Sequence, residues 1–383
     1  MIDQKKFHDC MQMAGVEFIT GVPDSLLNDF CLYVEAELPR EQHVIAANEG
    51  NAIALAAGHY LATGCVPLVY MQNSGIGNCV NPLLSLTNKE VYGIPMVLLI
   101  GWRGDPDSRD HAQHDKQGQV MPALLELMNI PCKVIDKDEE KTFEVVEWAV
   151  KTAREQSSPT AILVKKGVLE KGHKRAFVPE DSVYGMTREG AIACVLNWTP
   201  ENALFVATTG RATRELHALR DQSGAGHERD FLNLGAMGHA LSIANGMALG
   251  SKNRHVICLD GDAAVIMHLG SLTTAGMVGS TNLLHVVLNN GVHESVGGQP
   301  SAGFNADLTA IAENAGYKTV GRAVETEEDL KAAVLELLAS DGPSFVEARI
   351  RKGIRADMPP LKIIPSELKG VLMRIITQSD RRS

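Results

Sequence analysis

Two polar clusters, each closing an apolar run, carry the oxygen ligands that a hard cation requires. Leu259-Asp260-Gly261-Asp262 ends a run that starts at Val256, and Asn289-Asn290-Gly291 ends the run Leu283–Leu288, with 27 residues between Asp262 and Asn290. The runs read as buried parallel strands, and Ala264 to Met277 between them reads as a crossover helix. Both clusters then lie at carboxyl ends of strands, where an open α/β sheet forms its ligand crevice. A carboxylate, an amide oxygen and a free backbone carbonyl suit Mg²⁺, with further oxygen ligands and water completing its octahedron. Asp-Gly and Asn-Gly are also common turn formers, so tight strand-to-helix turns account for the same residues without a ligand.

A third feature lies in the other half of the chain. Asn48-Glu49-Gly50-Asn51-Ala52 follows the apolar stretch Val44–Ala47 and opens a small-residue helix through Leu55, Ala56, Ala57, Gly58 and Tyr60. Read alone, Glu49 is a helix-start carboxylate favoured by the macrodipole. Read with Asp262 and Asn290, the segment resembles the part of the thiamine diphosphate-dependent decarboxylase family that carries its catalytic glutamate. The resemblance implies that Glu49 hydrogen-bonds the aminopyrimidine of thiamine diphosphate and helps its amino group deprotonate the thiazolium carbon. A buried carboxylic acid suits such proton sharing.

Composition narrows the remaining classes. The 383 residues leave room for two or three domains of ordinary size. Net charge is −10, with Lys and Arg dispersed, which argues against nucleic-acid and polybasic membrane binding. Seven widely spaced cysteines read as reduced core residues of a cytoplasmic protein rather than a disulfide frame or a zinc site. The first residues lack an apolar signal core, and no run approaches the length of a membrane span.

Apolar runs at Val16–Thr20, Val44–Ala47, Val66–Met71, Pro95–Ile100, Cys132–Ile135 and Thr160–Val164 alternate with helical patterns. The rhythm returns near Ala203–Ala207, Phe231–Leu234, Val256–Leu259, Leu283–Leu288, Lys318–Val320 and Ser344–Ala348. This is the α/β pattern of two doubly wound parallel-sheet domains. The expected boundaries are 1–170, a charged linker 171–186, and 187–383. By resemblance the first domain grips the pyrimidine and the second the diphosphate, with no middle domain between them. Glu367 to Thr377 reads as either a packing helix or a disordered end.

Further segments narrow the resemblance to the branch that includes phosphonopyruvate and sulfopyruvate decarboxylases. They are Gly21-Val22-Pro23-Asp24-Ser25, Asn73-Ser74-Gly75-Ile76-Gly77-Asn78, and Asn289 to Pro300 with its Gly297-Gly298-Gln299-Pro300 turn. Two departures stand out: Ala263 where the family usually has Gly, and Asn290 one residue later than in several relatives.

Carried over by motif, Asp262, the side chain of Asn290 and the carbonyl of Val292 would bind Mg²⁺, with Asn289 as ligand if the register shifts. Gly261 and Ala263 would admit backbone amides to the diphosphate. Within Gly235-Ala236-Met237-Gly238, Ala236 would border the cofactor and Met237 would wedge beneath it; a core methionine is the alternative. Thr208-Thr209-Gly210 would face the same crevice or cap a helix.

Ser25 would hold the substrate carboxylate with Asp24 as proton relay, unless either is an N-cap. His111 and His114 fall in the polar stretch Arg103 to Gln119, which reads as a mobile active-site loop whose Arg103, Arg109 and Lys116 could receive a phosphonate. Exposed loop histidines are otherwise inert. His293 is placed as acid or anion binder, and Arg211 as a further cation.

The implied reaction is non-oxidative decarboxylation of a small anionic 2-oxo acid, 3-phosphonopyruvate first, in a homodimer or larger homo-oligomer holding its cofactor at the subunit interface. Sulfopyruvate decarboxylation and carboligation are the alternatives within the chemistry. A regulatory or scaffolding protein that keeps the fold is the alternative outside it.

Overall fold

A computed structural model describes residues 1–170 and 183–380, so residues 171–182 of the expected linker lie outside the described residues. Two compact units divide the chain: Met1–Ala176 with Ser295–Gln299, and Phe177–Glu294 with Pro300–Ser383.

The first unit is built on a six-stranded sheet, all parallel, in the order His43–Ile45, Ile19–Gly21, Leu68–Gln72, Val97–Gly101, Thr160–Val164, Cys132–Ile135. Alternation along the strands feeds two cores. Leu68 and Tyr70 pack with Phe7, Phe30 and Val146 on one face, and Val69 and Met71 pack with Ile53, Ala56 and Leu125 on the other. Strand order reverses between Ile19–Gly21 and Leu68–Gln72, which opens the crevice at their carboxyl ends.

The second unit repeats the plan with five parallel strands, Ser344–Arg349, Leu283–Asn289, Val256–Gly261, Leu204–Ala207 and Asp230–Leu232. Phe205, Ile257 and Val286 face one core while Val206, Cys258 and Val287 face the other. The reversal falls between Leu204–Ala207 and Val256–Gly261, so Thr208 and Asp262 emerge side by side. The chain continues into a helix Pro365–Asp380, whose Leu372 is buried in the second core.

Three expectations are corrected. Lys318–Val320 is not a strand: Lys318 and Val324 each make one bridge to Ser344–Arg349, and between them Thr319 Oγ1 accepts from the Gly321 amide in a turn that leaves the sheet edge. The crossover helix starts at Asp262 and breaks into Asp262–Met267 and Gly270–Val278, because His268 leaves helical dihedrals and Gly270 is a poor helix former. The polar stretch Arg103 to Gln119 is a loop only to His111; from Ala112 it is a 16-residue helix. Gly118 lets that helix press on Gly104, and Trp102 Nε1 donates to the Gly118 carbonyl at 2.9 Å.

Candidate active site

In the first unit the candidate residues sit on the loops at the carboxyl ends of the strands. Asn48 caps the helix Glu49–Thr63 by accepting from the Asn51 amide, which fixes Glu49 as its first residue. Glu49 is buried, and Asn78 Nδ2 donates to its Oε2 at 2.7 Å. Its Oε1 lies against Gly75, where a Cβ would meet it at 2.4 Å. Only glycine fits there, so Asn73–Asn78 is shaped to the Glu49 carboxylate.

Asp24 follows the strand Ile19–Gly21 and is 1% exposed. Its Oδ2 accepts from the Leu26 and Leu27 amides at 3.0 and 3.2 Å, so it closes the turn before the helix Asn28–Glu37, while its Oδ1 has no hydrogen-bond partner. Ser25 is not a helix cap: its Oγ accepts from Arg103 Nη1 at 2.7 Å. Arg103 in turn pairs bidentately with Asp110 at 2.6 and 2.5 Å, and Asn73 holds the Arg103 backbone at both N–H and C=O. Burial works to raise the Asp110 carboxyl, but Arg103 and the His111 and Gly104 amides win and hold it well below the usual range. His111 is exposed and His114 half-buried, their ring centroids 6.5 Å apart. Burial lowers His114, whose Nδ1 is buried without a partner. Arg109 and Lys116 point to the exposed surface.

Burial pushes the Asp24 carboxyl up to about 6 from 3.8, against the opposing pull of the Leu26 amide and Arg103. A folded-state value above the unfolded one means that stability is present below pH 3.8 and lost as pH rises through 6. Asp24→Asn removes the cost of burying the ionised group, so above pH 6 the variant should be more stable than the parent by roughly 2–3 kcal/mol, with the gap closing in acid. Denaturant titrations at both pH extremes check this; equal gaps at the two would place the buried charge elsewhere.

In the second unit Asp262 is 2% exposed and opens a helix directly after its strand. Its Oδ1 accepts from the Asn290 amide at 3.4 Å and its Oδ2 from the Ser301 hydroxyl. Burial pushes its carboxyl up to about 6. Asn290 Oδ1 accepts from the Val292 amide at 3.2 Å, and its Nδ2 donates to Glu294 Oε2 at 3.3 Å. Asn289 is committed inward: its Nδ2 donates to the Gly303 carbonyl and Glu347 Oε1, and its Oδ1 accepts from the Gly291 amide. Glu294 is itself clamped by Arg188 Nη1 at 2.5 Å, and Arg188 is buried against Glu215 at 2.7 Å.

The flanking loops differ from expectation in one respect. Neither Thr208 nor Thr209 caps the helix Arg211–Ser223; Gly210 does, without a side chain. Thr209 Oγ1 donates to the Leu234 carbonyl at 2.7 Å, which leaves it lone pairs but no proton to offer, and Thr208 Oγ1 is buried without a partner. Asn233 brackets Ala236 through its amide and carbonyl, leaving Ala236 exposed and Met237 half-buried beside it. Arg211 is half-buried at the helix start. His293 is buried, and burial pushes its imidazole down to about 4.

Comparison with known proteins places this geometry. Residues 4–121 match the model "Thiamine pyrophosphate enzyme, N-terminal TPP binding domain", and residues 208–348 match "Thiamine pyrophosphate enzyme, C-terminal TPP binding domain". The chain belongs to the thiamine pyrophosphate enzyme family. Among curated members it is 34% identical to phosphonopyruvate decarboxylase of Streptomyces viridochromogenes, covering 95% of this chain and 92% of that one. It is 33% identical to phosphonopyruvate decarboxylase of Streptomyces hygroscopicus, covering 92% and 89%. It is 26% identical to sulfopyruvate decarboxylase of Methanosarcina acetivorans, covering 95% of each.

For a thiamine pyrophosphate enzyme, the second unit's donors are chemically apt. A carboxylate, an amide oxygen and nearby backbone carbonyls form an all-oxygen set for a divalent cation. Gly261 has ordinary extended dihedrals, and a Cβ built on it meets no atom, so nothing within the protein demands glycine there; a ligand approaching its amide would. The buried Thr208 hydroxyl awaits a partner at the same strand end.

Several residues of this family member escaped the sequence reading. Asn78 and Glu294 lie inside segments singled out there, but a segment does not say which side chain turns inward. Ser301, Arg188 and Glu215 gave no signal, because their partners are 39, 106 and 27 residues away.

Proposed function

We propose that this chain catalyses the non-oxidative decarboxylation of 3-phosphonopyruvate to phosphonoacetaldehyde and CO₂, using thiamine diphosphate and Mg²⁺. The observation that carries the reading is identity of 34% and 33%, over 95% and 92% of this chain, with two phosphonopyruvate decarboxylases, against 26% with the sulfopyruvate enzyme. When bound, thiamine diphosphate supplies the electron sink that lets CO₂ leave a 2-oxo acid. Asp262, Asn290 and the Val292 carbonyl hold the cation; the inward commitment of Asn289 supports Asn290 over its neighbour. Gly261 and Ala263 admit the diphosphate, with Thr209, Gly210, Ala236 and Met237 lining its path.

Glu49 passes a proton through its Oε1, while Asn78 Nδ2 engages its Oε2. Ser25 orients the substrate carboxylate, positioned by Arg103, and Asp24 carries a proton on its unpartnered Oδ1. His111 and His114 at the start of their helix are candidates for the substrate's anionic tail, with His293 as an uncharged donor. Seven free cysteines fit the reducing cytoplasm. Among the described residues no helix is long and apolar enough to cross a membrane.

Pyruvate, phosphonopyruvate and sulfopyruvate assayed in parallel test the reading. Phosphonate carries up to two charges and sulfonate one, and losing one charge-assisted hydrogen bond costs roughly 1.5–3 kcal/mol, so kcat/KM for phosphonopyruvate should exceed that for sulfopyruvate about 10- to 100-fold. The reverse preference would make the chain a sulfopyruvate decarboxylase. Aldehyde released without an added acceptor separates decarboxylation from carboligation.

The working unit is at least a homodimer, with each cofactor held by the Glu49 unit of one chain and the Asp262 unit of another. Leu55 and Leu61, 40% and 67% exposed on the helix that Glu49 opens, give that helix an apolar face to bury. Mixing inactive Glu49→Gln and Asp262→Ala chains should restore partial activity after subunit exchange. Mixed dimers without recovery would mean that each chain builds its own site.

A further inference from the structure

A second cluster of ligand-type side chains lies away from the crevice of the second unit. The helix Arg211–Ser223 starts at the carboxyl end of the sheet, where Thr209 and Gly210 lie, and returns toward the amino end. In its last turns it carries His217 and Asp221, one turn apart on one face. The chain then brings His227 back onto them just before the strand Asp230–Leu232 begins. The two imidazoles stack with centroids 4.1 Å apart and 13° between their planes. Asp221 bridges them, Oδ2 at 3.2 Å from His217 Nδ1 and Oδ1 at 2.8 Å from His227 Nε2. One ligand atom from each of the three lies within 4.8 Å of the others.

The far side of His227 is built as well. Its Nδ1 is buried without a hydrogen-bond partner and faces Asp230 Oδ2 at 3.8 Å. Asp230 is fully buried and fixed by two Arg220 N–H groups at 3.1 and 2.9 Å. A carboxylate behind an imidazole sets its tautomer and turns the opposite nitrogen outward as a ligand. The Asp221 side chain is 57% exposed while the two histidines are mostly covered, so the cluster is preformed inside and open to solvent on one side.

We propose that His217, Asp221 and His227 form a surface site for a divalent first-row transition metal of the Zn²⁺ type, with Asp230 as the positioning residue behind His227. Two imidazole nitrogens and one carboxylate suit Zn²⁺, Ni²⁺ or Cu²⁺ and not Mg²⁺, and three protein ligands leave a fourth position for water. The ion would tie the end of the helix to the loop that follows and so stabilise the folded chain by linkage.

Zn²⁺ titrated into enzyme already saturated with Mg²⁺ and thiamine diphosphate tests the site, read by calorimetry, by thermal unfolding and by the visible absorption of Co²⁺ in its place. One saturable Zn²⁺ per chain and a rise in Tm are expected. Both should vanish in a His217→Ala/His227→Ala variant and in Asp221→Asn, each with turnover unchanged. Asp230→Asn should keep the stoichiometry and weaken affinity about 10- to 100-fold. Absence of saturable binding by the parent, or binding by Asp221→Asn and the double variant equal to the parent's with intact circular dichroism, would overturn the proposal.

Discussion

Asp262→Ala is expected to abolish turnover by removing cofactor affinity while leaving the protein folded. The carboxylate is the only anionic member of the proposed cation set, and it is nearly fully buried, with the Asn290 amide and the Ser301 hydroxyl pointing into it. Without it, Mg²⁺ and a diphosphate would face each other with one fewer protein charge, and losing even an outer partner of a metal ligand costs roughly 10- to 100-fold in affinity. The loss here should exceed that range. Burial pushes the Asp262 carboxyl up to about 6, so its ionised form costs stability near neutrality and alanine should not lower it there. Calorimetric titration of thiamine diphosphate in excess Mg²⁺ reads the effect directly. Unchanged affinity would remove Asp262 from the cation site.

Glu49→Gln should do the opposite: cofactor binds, and turnover falls. The amide is nearly isosteric and fits the gap that Gly75 leaves, but it cannot give up and recover a proton at Oε1. Positioned proton transfer contributes roughly 10²- to 10⁴-fold, and kcat should fall within that span. Deuterium exchange at the thiazolium carbon isolates the step. Exchange at the parent's rate would assign Glu49 a packing role only. Replacing Asn78 with alanine offers a graded control, since it frees Oε2 without removing the acid.

The strands that were legible in the sequence were those whose apolar runs are bounded by polar turns. Cys132–Ile135 and Thr160–Val164 appear with the limits their composition implies: burial on both faces leaves Thr160–Val164 little room for a register shift, and the edge strand Cys132–Ile135 pairs with it along its whole length. Lys318–Val320 failed because a short β-branched run carries no information about whether a neighbouring edge is free along its length. Arg103–Gln119 failed because its polarity masks a helix anchored by the approach of Gly118 to Gly104 and by Met121 and Leu125 in the core. The candidate site follows the same division. Asp262, Asn290 and Glu49 were visible because each closes an apolar run at a strand end. The Arg188, Glu215 and Glu294 chain was invisible, since an ion pair between distant segments leaves no period or spacing.

Glu294 does more than brace Asn290. Its other oxygen accepts the amide of Gly353, whose carbonyl accepts from Arg188 at 3.3 Å. The stretch beyond the last strand is thereby a further support of the loop that bears Asn290. Anyone shortening this protein for crystallography, or fusing a tag or a partner behind Arg349, should treat Gly353 as part of the unit that carries Asp262 and Asn290. A cut there would leave the fold's eleven principal strands intact on paper and unfasten the loop that matters.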